Sequence, residues 1–248
     1  MYYNYQNNKE DYLTLSKLLN GLTSSEFLEK ISALYASNNT RGNADIPENV
    51  HPSVIAAANN SDVKYSAIYG EMKPDTMLRL IQYMKAKNIT RIVDVGSGFG
   101  RIPLTMVSDD TIDMAIGIEI VKDRHDFAKK QLEELKLVYP SFVKRVQLTN
   151  TDMFNIDFKE LSQDKPMLVF TSNLCYPPAV TLALYDKLSK ELPIGSIVKS
   201  SKCPEKVPAN FKHENYKNIH DNIDIVNGKS VMPMTWHDGH EIHVFVIT

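Results

Sequence analysis

Arg91-Ile-Val-Asp-Val-Gly-Ser-Gly-Phe-Gly-Arg101 decides how the rest of this chain is read. A short apolar run carrying Asp94 reads as a strand; Gly96, Gly98 and Gly100 then alternate, and a helical pattern opens at Arg101. Glycines at such a turn let the backbone reverse sharply and let a ligand come close to it. A Gly-rich turn alone is weak evidence, and the strand before it and the helix after it give it weight. The next apolar run ends in Gly117-Ile-Glu119. That places a carboxylate about 20 residues past the turn, where it can accept the two hydroxyls of a ribose.

The form of the motif separates two ligands. A dinucleotide must lay a pyrophosphate on the helix N-terminus. The leading acid of Asp-x-Gly-x-Gly-x-Gly instead suits the cationic end of S-adenosylmethionine. Asp94, Gly96, Ser97, Gly98 and Glu119 are the expected cofactor-binding residues, the alternative being an ordinary Gly-rich turn. Asp152, in Asn150-Thr-Asp-Met-Phe154, follows the third apolar run. Its carboxylate reads either as an acceptor for the adenine amino group or as a helix N-cap. Asn173, in Thr171-Ser-Asn-Leu-Cys-Tyr-Pro-Pro178, follows the fourth run, on the edge where open α/β sheets hold their ligands. An amide there can hold a substrate amine close to the methyl group.

Outward from the turn, apolar runs alternate with helical stretches. The runs are Arg91–Val95, Met114–Ile118, Arg145–Leu148, Met167–Phe170, Ser196–Lys199 and Ile242–Ile247, and the helices between them Arg101–Val107, Lys122–Val138 and Ala179–Lys190, with a further helix from Pro74 to Lys87. This alternation predicts an α/β fold of Rossmann type, a mostly parallel, doubly wound sheet. The stretch from Glu205 to Thr248 lacks a helical pattern and is expected to add antiparallel strands at one edge. Before the core, Leu13, Leu15, Leu18, Leu19, Leu22, Phe27, Ile31 and Leu34 recur at helical spacing, broken at Thr23-Ser-Ser-Glu26. A polar loop over 38–52 and a short helix over 53–59 follow. Residues 1–64 thus read as a small helical region and 65–248 as the catalytic domain.

The formal net charge of −2 gives no general pull toward nucleic acid or anionic membrane. Lys122, Arg124, Lys129 and Lys130 read as a solvated helix face. Two cysteines, Cys175 and Cys203, make no disulfide framework and read as small buried hydrophobes. The first thirteen residues have no apolar h-region, and no run approaches the roughly 20 apolar residues of a membrane helix. A soluble, intracellular protein is expected. His237, His240 and His243 tempt a metal assignment, but on a strand this spacing alternates faces and the ligands do not converge.

Tyr69-Gly-Glu71, the Val93–Gly100 segment, Gly117-Ile-Glu119, Ser172-Asn-Leu-Cys-Tyr176, Ile197-Val-Lys-Ser-Ser-Lys202 and Thr235-Trp236 occur in an order and spacing similar to the DOT1 histone-lysine methyltransferases, over roughly residues 65–248. The resemblance implies that Tyr69, Gly70 and Glu71 belong to a loop over the methionine part of the cofactor. It implies that Glu119 binds the ribose and that Asp152, Met153 and Phe154 flank the adenine. Asn173 would face the reacting amine, while Tyr176 and Trp236, with Tyr65 from the N-terminal side, would wall a lysine channel. The family usually carries a Tyr seven residues after that Trp, where this chain has His243.

The implied reaction is methyl transfer from S-adenosylmethionine to a protein lysine, a histone or nucleosome being the implied partner. A free lysine has a pKa of about 10.4, and a tight aromatic channel beside a sulfonium favours its neutral form. No dedicated general base is then required; His243 reads as a proton relay or as a packed strand histidine. Other acceptors stay open: nucleic acid, a small molecule, or none, the chain then being an adenosyl-binding scaffold.

Overall fold

Short runs of β-branched and aliphatic residues, buried on both faces, set the centre of this molecule. The computed structural model describes residues 30–31, 72, 74–214, 224–226, 229–234 and 237–248. Among them the strands are β1 (Arg91–Val95), β2 (Met114–Glu119), β3 (Val146–Asn150), β4 (Leu168–Thr171), β5 (Ile197–Ser200), β6 (Phe211–His213), β7 (Asp224–Val226), β8 (Lys229–Met234), β9 (His237–Glu241) and β10 (His243–Ile247). The helices are α1 (Pro74–Ala86), α2 (Arg101–Met106), α3 (Lys122–Val138), α4 (Pro140–Val143), α5 (Phe158–Ser162) and α6 (Pro178–Glu191). One sheet has the order β3-β2-β1-β4-β5-β10-β6 and a second the order β7-β8-β9. β1 to β5 are parallel, and β10 runs antiparallel between β5 and β6. This is the doubly wound sheet with antiparallel C-terminal edge strands that the sequence predicts.

Successive residues of a strand face opposite sides, and both sides are covered. On one, Met77, Ile81 and Met84 of α1, Leu104 of α2 and Leu135 of α3 pack on Ile92, Leu168, Ile197 and Val244. On the other, Phe158 of α5 and Leu184, Tyr185 and Leu188 of α6 pack on Val93, Val169, Val198 and Phe245. Covering both faces is why β1, β4 and β5 read as continuous apolar runs rather than alternating ones. Ile31, in a helical segment, joins the α1-side core; the other expectations for residues 1–64 lie outside the described residues. α4 and α5, of 4 and 5 residues, are too short for periodicity to register.

A lysine lies inside this core. Lys199 on β5 is 1% exposed, with Nζ 3.8 Å from the centroid of the Tyr83 ring on α1. The Tyr83 hydroxyl donates to Glu214 Oε2 at 2.5 Å, and Lys87 pairs with the same carboxylate. Burial brings the Lys199 amine from 10.5 down to about 7, against the pull of the Glu214 charge.

The turn after β1 is held by sterics that only glycine meets. Gly100 has φ +77, and a Cβ placed there would lie 2.8 Å from Ala128 Cβ on α3. Gly195, with φ +86, has nothing nearer than Pro166 Cγ at 3.4 Å. Gly195→Ala therefore carries only the left-handed backbone cost of about 1–2 kcal/mol, while Gly100→Ala adds an overpacking cost of a further ~1–3 kcal/mol. Urea unfolding of the two variants should show that order; equal losses would remove the α3 contact from the account.

Candidate active site

The strand order reverses direction between β1 and β4, and crevices outside such a switch point are where open α/β sheets bind ligands. The residues at the carboxyl ends of β1, β2, β3 and β4 converge there. Gly96 and Ser97 both donate their N–H groups to the Ile118 carbonyl, at 2.9 and 3.0 Å, which ties the glycine turn to the end of β2. Gly117 on β2 has no room for a side chain, because Ser97 Oγ and Leu148 Cδ2 each lie 2.8 Å from where a Cβ would stand.

Glu119 is the hinge of this arrangement. It is 4% exposed. Its Oε2 accepts from the Gly98 N–H at 2.6 Å and its Oε1 from the Val121 N–H at 2.8 Å. Burial raises its pKa, while those amides and the nearby Arg124 charge pull it back down. Asp94 is 3% exposed, and burial first, then the Glu119 charge, hold its carboxyl well above the usual range.

Asp152 is buried and caps the 3-10 turn Met153–Asn155, accepting the Phe154 N–H at 3.0 Å. The N-cap reading is thus realised. Asn173, fully buried, opens a second 3-10 turn, Asn173–Cys175. Its Oδ1 accepts the Lys202 N–H at 2.9 Å and its Nδ2 donates to the Lys202 carbonyl at 3.0 Å. Tyr176 is half-buried and its hydroxyl lies against Gly96.

Residues 50–236 match the family described as "Histone methylation protein DOT1". The chain belongs to the DOT1 family. A "Histone-lysine N-methyltransferase, H3 lysine-79 specific" of Caenorhabditis elegans is 24% identical over 140 residues, which is 55% of this chain and 15% of that protein. A "Release factor glutamine methyltransferase" of Buchnera aphidicola is 28% identical over 102 residues, 40% of this chain and 36% of that protein. The match therefore spans well under half the length of either relative. A solved Klebsiella pneumoniae structure described as an O-methyltransferase superposes with a TM-score of 0.51 at 9% identity, over 80% of this chain and 90% of that one. It shows the same fold. This DOT1-family chain has a Rossmann-like core and S-adenosylmethionine as its cofactor.

The site fits that cofactor by its own chemistry. Two buried carboxylates, Asp94 and Glu119, stand beside a turn whose Gly96 is exposed. Among the described residues the charge that bears on Asp94 is a second negative one. Such a pocket favours a ligand that brings hydroxyl donors and positive charge, which the ribose and the cationic end of S-adenosylmethionine provide. Glu119 would hold the ribose, and Asp94, Gly96, Ser97 and Gly98 would line the amino-acid side.

Other expectations fall differently. Tyr69, Gly70, Glu71, Tyr65 and Trp236 lie outside the described residues. One cross-strand row runs Ile118–Val95–Thr171–Ser200–His243. His243 thus stands on the carboxyl edge, but three strand spacings, roughly 14 Å, from the glycine turn. Lys122, Lys129 and Lys130 are exposed as expected, whereas Arg124 is 7% exposed and faces Glu119. The solvated-face reading fails for Arg124 because the buried stripe of α3, Arg124, Ala128, Gln131 and Leu135, is half polar. Cys175 and Cys203 are free and half-buried. Among the described residues no three His, Cys, Asp or Glu gather as a metal site, and no helix is long and apolar enough to cross a membrane.

A carboxyl held above its ordinary range takes up a proton in the folded chain before it does so in the unfolded one. Its stabilising contribution is full below the ordinary carboxylate range and is lost as pH rises through the raised value. Asp94→Asn removes that loss. The ligand-free variant should melt higher than wild type at about pH 8, with the gap closing toward about pH 4. Calorimetric affinity for S-adenosylhomocysteine should meanwhile fall roughly tenfold or more, about 1.4 kcal/mol. A melting difference that stays constant across pH would refute the raised Asp94 carboxyl.

Proposed function

We propose that this chain methylates the side-chain amine of a protein lysine, with a nucleosomal histone the first acceptor to try. Bound at the switch point, S-adenosylmethionine supplies an electrophilic methyl group. The observation that carries the reading is the buried Asp94–Glu119 pair at the glycine turn, with Asn173 in the loop that follows the neighbouring strand β4. The lysine is supported by DOT1 family membership and by the printed description of the C. elegans relative.

Each residue acts by placement. Glu119, fixed by two backbone amides, is preorganised to accept hydroxyls without rotating. Asn173 is locked by Lys202, and its amide retains a second N–H and a second oxygen lone pair for an acceptor amine. Alignment of donor and acceptor accounts for much of the rate of such a displacement. Tyr176 and Trp236 wall the acceptor channel in this reading, and desolvation there favours the neutral amine. Tyr69, Gly70 and Glu71 close over the methionine part, and Asp152, Met153 and Phe154 flank the adenine. Residues 65–248 form the catalytic domain and 1–64 a helical region, although the family match begins inside the latter, at residue 50. A histone acceptor would make the chain nuclear.

The test is incubation with methyl-labelled S-adenosylmethionine and, in parallel, nucleosomes, free histones, total cell protein and total nucleic acid. Label on a histone lysine, abolished by Asn173→Ala, is the expected result. Label confined to a glutamine, to nucleic acid or to a small molecule moves the acceptor while keeping the fold and cofactor; no label on any acceptor leaves a binding scaffold. For the proton, His243→Phe is expected to keep the wild-type pH–rate profile, since His243 stands well away from the glycine turn. Loss of an inflection near neutral pH would instead make it the relay.

A further inference from the structure

Asp94 and Glu119 lie on the same face of the sheet. Asp94 pairs in register with Gly117, and Glu119 follows two residues on, which returns its side chain to that face. With strands about 4.8 Å apart and about 3.3 Å per residue along them, the two Cα atoms stand roughly 8 Å apart. Both residues are buried, at 3% and 4% exposure. Their surroundings differ. Glu119 takes the Gly98 amide on one oxygen and the Val121 amide on the other. Among the described residues no hydrogen bond is made to the Asp94 carboxyl.

A carboxylate at this depth is paired or hydrogen-bonded, or it takes up a proton. Glu119 has its two amides and the Arg124 charge on α3. Asp94 has neither, and the Glu119 charge opposes its ionisation. The other described groups nearby do not reverse this. Asp152 after β3 is a further acid, and burial keeps the Tyr176 hydroxyl after β4 protonated. On α1, Lys85 and Lys87 are paired with Asp109 and Glu214. The charge that bears on Asp94 is that of Glu119, not that of Arg101 at the start of α2 or Arg124 on α3. Two neighbouring carboxyls in unlike surroundings hold their protons to different degrees. Glu119 ionises first, and Asp94 keeps its proton.

A positive group within about 4–6 Å favours the ionised form of a carboxyl. In the placement given above, the cationic end of S-adenosylmethionine comes to the Asp94 side of the turn. We propose that Asp94 exchanges its proton for the cofactor's positive charge: protonated in the ligand-free chain, it loses that proton to solvent as the cationic end docks, and the site thereby holds the methyl donor more tightly than the spent product. The two ligands share the amino-acid end and the ribose and differ in the sulfonium charge, which is gone once the methyl group has left. An ionised Asp94 beside Glu119 is then offset by one positive charge fewer. The proton returns to the carboxyl more readily, and release of the product is favoured. No covalent bond changes other than the O–H of Asp94, whose proton passes to solvent and back. Nothing in this exchange depends on which acceptor receives the methyl group.

Titration calorimetry of S-adenosylmethionine and of S-adenosylhomocysteine into the full chain, in paired buffers of low and high ionisation enthalpy, counts the protons. The range is about pH 5 to 6.5, where the ligand's own α-amino group, with a pKa of about 7.8, is fully charged. Binding of S-adenosylmethionine should release most of a proton and S-adenosylhomocysteine less. The donor-to-product affinity ratio should accordingly rise severalfold across the range, since affinity climbs with pH wherever binding releases a proton. Asp94→Asn should abolish the release and leave the ratio flat with pH. Glu119→Gln removes the charge that holds the proton on Asp94, so release should move to lower pH rather than vanish. Wild-type heats that do not depend on the buffer overturn the proposal, as does equal release with the two ligands. Release that survives Asp94→Asn and vanishes in Glu119→Gln overturns it too, by making Glu119 the source. Should either variant fail to fold, the two wild-type proton counts decide. Absence of label on every acceptor sinks methyl transfer, and these heats still decide the proton exchange.

Discussion

The Glu119 carboxylate joins three elements at one point. One oxygen takes the Gly98 amide and the other the Val121 amide, so the end of β2, the glycine turn and the start of α3 are fixed relative to one another. Much of the remaining architecture depends on that junction. With the turn held, Gly100 rests on Ala128 and α2 begins with every residue buried. With α3 held, Arg124 is carried inside to face the same carboxylate. α3 has no side-chain cap of its own; an acid from the preceding strand takes the amide at its N-cap position, where a negative charge is also favoured by the helix dipole. One side chain thus ties three elements of the fold together, and in the proposed reading the same carboxylate holds the ribose.

What was legible in the sequence was whatever chemistry demands at a fixed spacing. The glycine turn and Glu119 were readable because few residue types satisfy a left-handed turn or bind a ribose. The strand ends were read one or two residues short, and for a reason. β2, β3, β4 and β5 end in Glu119, Asn150, Thr171 and Ser200, which still pair in register, Glu119 with Asn150 and Thr171 with Ser200. An apolar-run criterion stops before such residues. Their polarity is itself the mark of the ligand edge, since a strand can end in hydrogen-bonding side chains where it faces a crevice. Arg124 and Lys199 were hidden for the opposite reason: each is a charged residue on a buried face, a placement that composition disfavours and that only the neighbours Glu119 and Tyr83 make intelligible.

Asn173 shows how a residue can be found for one reason and explained by another. Sequence position suggested an amide poised over a substrate amine. The structure gives that amide a prior task, a two-point bond to the Lys202 backbone that fastens the loop after β4 to the loop after β5. The bond fixes the rotamer of this fully buried side chain before any ligand arrives, so that no rotamer freedom is left to lose on binding. Asp152 follows the same pattern: the N-cap bond to Phe154 fixes the carboxylate next to the residues expected to flank the adenine.

Lys199 carries this logic into the interior. A methyl acceptor must present a lone pair, and a lysine in water does so in roughly one molecule per few thousand at neutral pH. On β5, enclosure beside the Tyr83 ring has already brought an amine from 10.5 to about 7, even with the Glu214 carboxylate pulling the other way. The protein's own interior thus holds a lysine whose charged form is disfavoured by burial. Burial alone shifts an amine toward its neutral form, and the same desolvation would act on a substrate lysine drawn into an apolar channel.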